Sequence, residues 1–238
     1  MRKYFITLLF LTVLNFSFAQ SEAVATSSQQ DDDYVEFKKE VNKAKDRIVV
    51  NLSYDRLLNT PSGIKSKGFS RGFDAYFMYD IVLGKSRFSI APGIGIGTNN
   101  YMLKYMITSD STATTFTEFD DNIKVKKSKL ALTYVDIPLE LRFRSAPNKK
   151  GTSWKLAAGF KAGIKIQDKW KYKGDDFGMG EKFKKYNIDN LNKFRYGVMV
   201  RGGYGPLNLY AYYSLSDLFN DKGPKMTPLS IGISINGL

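Results

Sequence analysis

Asp136 and Glu140 lie four residues apart in a run where charged and apolar side chains alternate, so in an extended strand both carboxylates share one face. Two facing carboxylates are the least equipment a glycoside-type hydrolase needs. Neighbouring alternating segments carry Lys155, Lys161, Lys165, Arg195 and Arg201 at corresponding polar positions. Enclosed together, such groups compensate one another's charge, and Asp136, Glu140, Lys155, Lys161 and Arg201 are therefore candidate interior ion pairs rather than a catalytic set. The chain has no His and no Cys, which excludes imidazole bases, thiolate nucleophiles, disulfides and His or Cys metal sites. Asp31, Asp32 and Asp33 are consecutive and lack the spaced oxygen ligands of a calcium loop. Gly93, Gly95 and Gly97 alternate strictly within a strand-like run, unlike the turn-to-helix glycines of a dinucleotide fingerprint. No catalytic residue, metal or cofactor is expected.

A second cluster points to binding. Residues 169–185 are read as a loop that carries Lys169, Lys171, Lys173, Lys182, Lys184 and Lys185, with Trp170 and Tyr172 interleaved. Such a surface suits lipopolysaccharide phosphates or a partner protein, and equally a solvated loop, because Asp175, Asp176 and Glu181 are close in sequence. Asp110-Ser111-Thr112 matches a short O-glycan acceptor. Nucleic acid is not expected, since Lys and Arg are dispersed without an RNA-binding motif.

The elements that must position these groups have period two. Among 238 residues, 43% are hydrophobic and 14% aromatic, a balance that excludes a disordered chain. Residues 1–19 have a basic start at Arg2 and Lys3, an apolar centre and a small-residue end at Ala19, the layout of a signal peptide. Its removal would lower the formal charge from +13 only to +11. Residues 20–46 are polar and read as a periplasmic tail, and residues 47–238 as the folded domain. There, eight alternating runs begin near residues 47, 69, 88, 134, 154, 194, 207 and 229. In the fourth, Val135, Ile137, Leu139, Leu141 and Phe143 oppose Asp136, Pro138, Glu140 and Arg142.

Eight such strands close into an antiparallel barrel. A soluble barrel hides the apolar face, whereas a membrane barrel shows it to lipid. The connections favour the second: residues 82–86, 145–152 and 205–206 are short, and the alternate gaps at 57–67, 99–128, 168–191 and 217–227 are longer. Short periplasmic turns and longer extracellular loops are the pattern of an outer-membrane barrel, and an even strand number leaves both termini periplasmic. Hairpin geometry predicts Arg201 opposite Tyr210, Tyr76 opposite Gly93, Asp74 opposite Gly95 and Asp136 opposite Lys161.

Residues 91–97 (APGIGIG), residues 134–142 (YVDIPLELR) and the leader ending in Ala19 and Gln20 resemble the PorT-type outer membrane β-barrel domain family of Bacteroidota over roughly residues 47–238. The resemblance implies an integral outer-membrane protein, with a link to a protein-secretion system through the family's named member, and it transfers no functional residue. The expectation is thus an all-β, eight-stranded antiparallel transmembrane barrel, exported to the outer membrane of a Gram-negative bacterium. Its expected role is that of a non-enzymatic scaffold or interaction protein, whose partners are outer membrane lipid, lipopolysaccharide and an envelope or secretion-system protein. Two alternatives stand beside it: a soluble periplasmic barrel binding a small lipid, and a narrow solute conduit.

Overall fold

The computed structural model describes residues 47–61, 68–120, 122–149, 151–175 and 180–236, together with Val35. The expected signal peptide and almost all of the expected tail, including Asp31 to Asp33, lie outside the described residues.

The described residues form β1 (Ile48–Leu58), β2 (Arg71–Met78), β3 (Ile81–Val82), β4 (Phe88–Met102), β5 (Tyr105–Ser109) and β6 (Thr114–Glu118). They continue with β7 (Val125–Arg144), β8 (Trp154–Gly174), β9 (Lys182–Tyr186), β10 (Phe194–Tyr204), β11 (Leu207–Ser214) and β12 (Thr227–Asn236). Strands β1, β2, β4, β7, β8, β10, β11 and β12 pair antiparallel in that order, and β12 returns to β1. The expected eight-stranded barrel is closed, so its backbone donors and acceptors are satisfied without an edge.

The side-chain alternation settles which face looks out. Ile137 is 61% exposed, Phe160 60% and Leu209 73%, whereas Asp136 is fully buried and Lys161 2% exposed. An apolar exterior round a charged interior is stable only where hydrocarbon replaces water, which rules out a soluble barrel with an apolar lumen. The band is flanked by aromatic residues. Trp154 packs at a tilt against Tyr204 and Phe88 against Phe143 at the end bearing the short turns, while Phe69 meets Tyr54 at the other. The tightest turn, at Gly205 and Pro206, uses a positive φ of 65° at Gly205.

Two expected registers shift by two residues. Tyr76 faces Gly95 and Asp74 faces Gly97, because the connection after β3 runs from Leu83 to Phe88 instead of centring on Gly84. Asp136 faces Gly163 and Pro138 faces Lys161, because the β7–β8 hairpin closes with Ser145 donating to the Trp154 carbonyl. The expected pairing of Arg201 with Tyr210 is present.

The larger difference lies above the band. β7 is 20 residues long and β8 21, about twice the 9–11 residues that cross a bilayer. Their upper halves, expected as loops, continue as strands outside the membrane, and β9 adds to β8 there. Hairpin β5–β6 leans over the mouth: the Lys222 carbonyl accepts from Thr114 N at 2.9 Å, and Lys185 Nζ donates to Ser109 O at 3.1 Å. Beneath it lies an apolar core of Tyr101, Leu130, Leu132, Trp170, Phe219 and Met226, among others.

Candidate functional site

In the lower lumen Glu140 Oε2 receives Arg142 Nε at 2.7 Å and Arg201 Nη2 at 2.6 Å, and Arg142 Nη1 also reaches Asp80 Oδ2 at 2.9 Å. Arg201 Nη1 donates to Asn236 Oδ1 at 2.7 Å. Higher up, Arg195 Nε donates to Asp136 Oδ1 at 2.9 Å, its Nη2 engages Oδ2, and its Nη1 reaches Asn99 at 2.6 Å. Lys161 Nζ lies 3.5 Å from Asp74 Oδ2, and donates to Tyr76 Oη at 3.2 Å and Tyr210 Oη at 3.3 Å. It also sits 3.9 Å above the Tyr212 ring. Asp55 accepts from Asn99, Ser53 and Ser230.

Small residues make this possible. A Cβ at Gly163 would overlap Asp136, and one at Gly97 would overlap the Arg195, Asp136 and Asp74 side chains. Among the described residues the interior is therefore a network of opposed charges with little free space, about 20 Å³ beside Arg142, Lys155 and Arg201 at its lower end. A void beside Asn99, Tyr134, Arg195 and Tyr212 measures about 10 Å³, about what one water requires.

Asp136, Glu140, Lys161 and Arg201 are buried on the inner side of the barrel, where Asp136 pairs with Arg195, and Lys161 with Asp74. Lys155 lies half-buried at the periplasmic end of β8, across from Arg144 and Gly203. Asp74, Asp80 and Arg142 complete the network. Their signal was available, since each falls on the polar side of an alternating run. Glu140 Oε2 is shared by two guanidinium groups and Asp136 is held by Arg195, so Asp136 and Glu140 do not form a hydrolytic pair facing an open cleft. Among the described residues no group of His, Cys, Asp or Glu is arranged to hold a metal.

The expected lysine loop is a folded sheet, and it divides. A bulge sets in where Thr133 pairs with Gln167 and Tyr134 with Lys165, leaving Ile166 extra on β8. Below it odd-numbered β8 residues such as Lys161 point inward; above it the even-numbered ones do, which buries Asp168, Trp170 and Tyr172. Trp170 Nε1 donates to Ser128 Oγ at 2.9 Å, and Lys185 is turned towards the hairpin. Trp170, Tyr172 and Lys185 therefore support the cap instead of forming a binding surface. Lys169, Lys171 and Lys173 face outward and are joined by Lys182 and Lys184 of β9. From β7, Lys127 and Lys129 complete the set; the first lies in the expected loop 99–128 and the second before the expected start of the strand near residue 134. The candidate functional surface is this outer face. Lys171 stands above the band, and its ammonium is pushed down first by Lys169, then by partial desolvation and by Lys184 and Lys127.

Asp110 and Thr112 form the tip of the β5–β6 hairpin. Asp110 Oδ1 accepts from Thr112 Oγ1 at 2.5 Å, Thr112 N at 2.7 Å and Ala113 N at 2.8 Å, so the carboxylate closes the turn.

Among known proteins, the chain is similar over 79% of its length to a crystal structure of Ail, the attachment invasion locus protein of Yersinia pestis, solved in complex with the heparin analogue sucrose octasulfate. That similarity covers 95% of the Ail chain at 13% identity, with a TM-score of 0.33. A comparison with curated proteins gives no match. A family model described as outer membrane protein beta-barrel domain matches residues 18–220. With a closed barrel, a lipid-facing exterior and a match over most of its length, the chain belongs to the outer membrane protein beta-barrel domain family.

Proposed function

We propose that this outer-membrane barrel is a non-enzymatic interaction protein, anchored by its band and working through the folded extension above the membrane. The observation that carries this is the lumen: its charges are paired to one another, and β5–β6 lies over its mouth. Neither an open channel nor an accessible catalytic carboxylate fits that interior, so the outer surfaces of β7 to β9 and the hairpin are left for recognition. The PorT-type resemblance of residues 134–142 supports a place beside an envelope or secretion assembly. Residues 1–19 would be removed on export, and N-terminal sequencing of the membrane-inserted protein would then begin at Gln20.

The test combines planar-bilayer conductance with cross-linking in cells, using photoreactive residues at Thr115 on the hairpin and Tyr186 on β9. The expected result is no conductance and a discrete adduct with one envelope protein from a cap position. Steady conductance by the purified barrel, with no adduct from either position, would overturn the proposal.

A further inference from the structure

The outward face of β7, β8 and β9 carries two cross-strand rows of like charge: Lys127–Lys173–Lys182 and Lys129–Lys171–Lys184. Side chains directly opposite in neighbouring strands have Cβ atoms roughly 5 Å apart, and like charges placed there repel. Lys129 Nζ donates to Asn100 Oδ1 at 2.7 Å, a neutral acceptor. Among the described residues no carboxylate makes an ion pair with any lysine of the two rows. The nearest acid on β8, Asp168, is on the inner side, where its carboxylate takes Lys165 at 2.9 Å and Ile188 N at 2.6 Å. The bulge at Ile166 sets this face outward; an unbroken alternation would have turned Lys169, Lys171 and Lys173 into the lumen.

Placement identifies what the charge meets. The rows face sideways, on the same side of the sheet as Ile164 and Val135, which are lipid-exposed at 54% and 38%. From Ile166 to Lys169 is three residues, about 10 Å along a strand and less in height once the strand is tilted. The interfacial layer on each side of a bilayer is roughly 5–8 Å thick, and a lysine stem spans a comparable distance. Lys169 therefore stands at headgroup level; Lys171 and Lys129, two residues higher, stand just above it within reach of their stems, and the remaining lysines are higher still.

We propose that the outward lysine face of β7, β8 and β9 binds the phosphate groups of phosphorylated glycolipid in the surrounding outer leaflet. This rests on the membrane placement of the band and adds a specific lipid contact to it. Ammonium groups are point donors suited to phosphate oxygens, and clustered lysines at a membrane surface bind anionic headgroups cooperatively.

The test uses the full chain refolded in nanodiscs. Retention of a bisphosphorylated glycolipid is measured by native mass spectrometry against its dephosphorylated form, with inorganic phosphate and a soluble sulfated oligosaccharide as competitors. The wild type is expected to prefer the bisphosphorylated lipid roughly tenfold or more at low salt. The triple variant K129Q/K171Q/K184Q is expected to lose that preference to within about twofold, and K104Q/K225Q to keep it, with both variants retaining heat-dependent gel mobility. Equal retention of both lipids by an inserted wild-type barrel, or an unchanged preference in the triple variant, would overturn the inference alone. Displacement of the lipid by the soluble oligosaccharide at equal phosphate and sulfate concentration would overturn the assignment to lipid. A wild-type chain that fails to insert would contradict the membrane reading beneath it.

Discussion

The lower and upper halves of β7 and β8 are built in opposite senses from continuous strands. In the band, Asp136, Glu140 and Lys161 point in and Ile137, Leu139 and Phe160 point out. Above it, Leu130, Leu132 and Trp170 point in and Lys129, Lys169 and Lys171 point out. The inversion shows that the surrounding solvent, not the strand, assigns the two faces: hydrocarbon below draws the apolar side outward, and water above draws it inward. A bulge on β8 keeps the pleat consistent across the boundary.

The largest expected effect breaks the lower half. Arg195→Ala leaves Asp136 buried without its guanidinium partner and is expected to destabilise the barrel by about 3–5 kcal/mol, measured by urea unfolding in lipid vesicles. Asp136→Asn combined with Arg195→Gln should recover part of that loss, because neither charge is then stranded. In the upper half, Trp170→Ala should cost about 3–5 kcal/mol, confined to the cap, since the side chain is 1% exposed in an apolar cluster. The band should still show its heat-dependent mobility shift. With only two tryptophans in the chain, fluorescence of a Trp154→Phe protein reports Trp170 alone and follows cap melting.

A matched pair sharpens the contrast on the outer face. Ile137→Arg is expected to cost about 2–4 kcal/mol because it puts a charge against hydrocarbon. Thr133→Arg, four residues higher on the same face of β7 and opposite the neutral Gln167, should cost no more than about 1 kcal/mol. The smallest effect lies at the hairpin tip. The Thr112 hydroxyl, followed by the Ala113 and Thr112 amides, holds the Asp110 carboxyl at about 2, below its ordinary 3.8. A depressed folded value means the turn's stabilisation is complete above about pH 4 and is lost as pH falls towards 2. Amide exchange at Thr112 and Ala113 should quicken over that window, and Asp110→Asn should abolish the dependence.

How much of this could be read in advance follows from the same inversion. The alternation from Val135 to Phe143 marks a strand with one apolar and one charged side, and the short turn at Gly205 and Pro206 sets a register that needs no adjustment. The same period continues through Lys127, Lys129, Ala131 and Thr133 against Ser128, Leu130, Leu132 and Tyr134. There the meaning of the faces reverses, so the pattern does not read as a continuation of the same strand. Ile166 hides the second half of the cluster, because an added residue resets odd and even positions. Arg195 meets Asp136 over Gly163, which both face, but partners farther round the barrel, such as Asp74 for Lys161, depend on closure, which strand alternation alone does not encode.

The most direct measurement places single cysteines in a chain that otherwise has none and follows spin-label accessibility along the outward face of β7 in bilayers. Labels at Val135, Ile137, Leu139 and Leu141 should be reached by oxygen dissolved in the lipid and shielded from a water-soluble nickel chelate. At Lys129, Ala131 and Thr133 the preference should reverse. Chelate access at Ile137 and Leu139 equal to that at Lys129 would contradict a lipid-facing apolar exterior, and with it the membrane placement of the barrel.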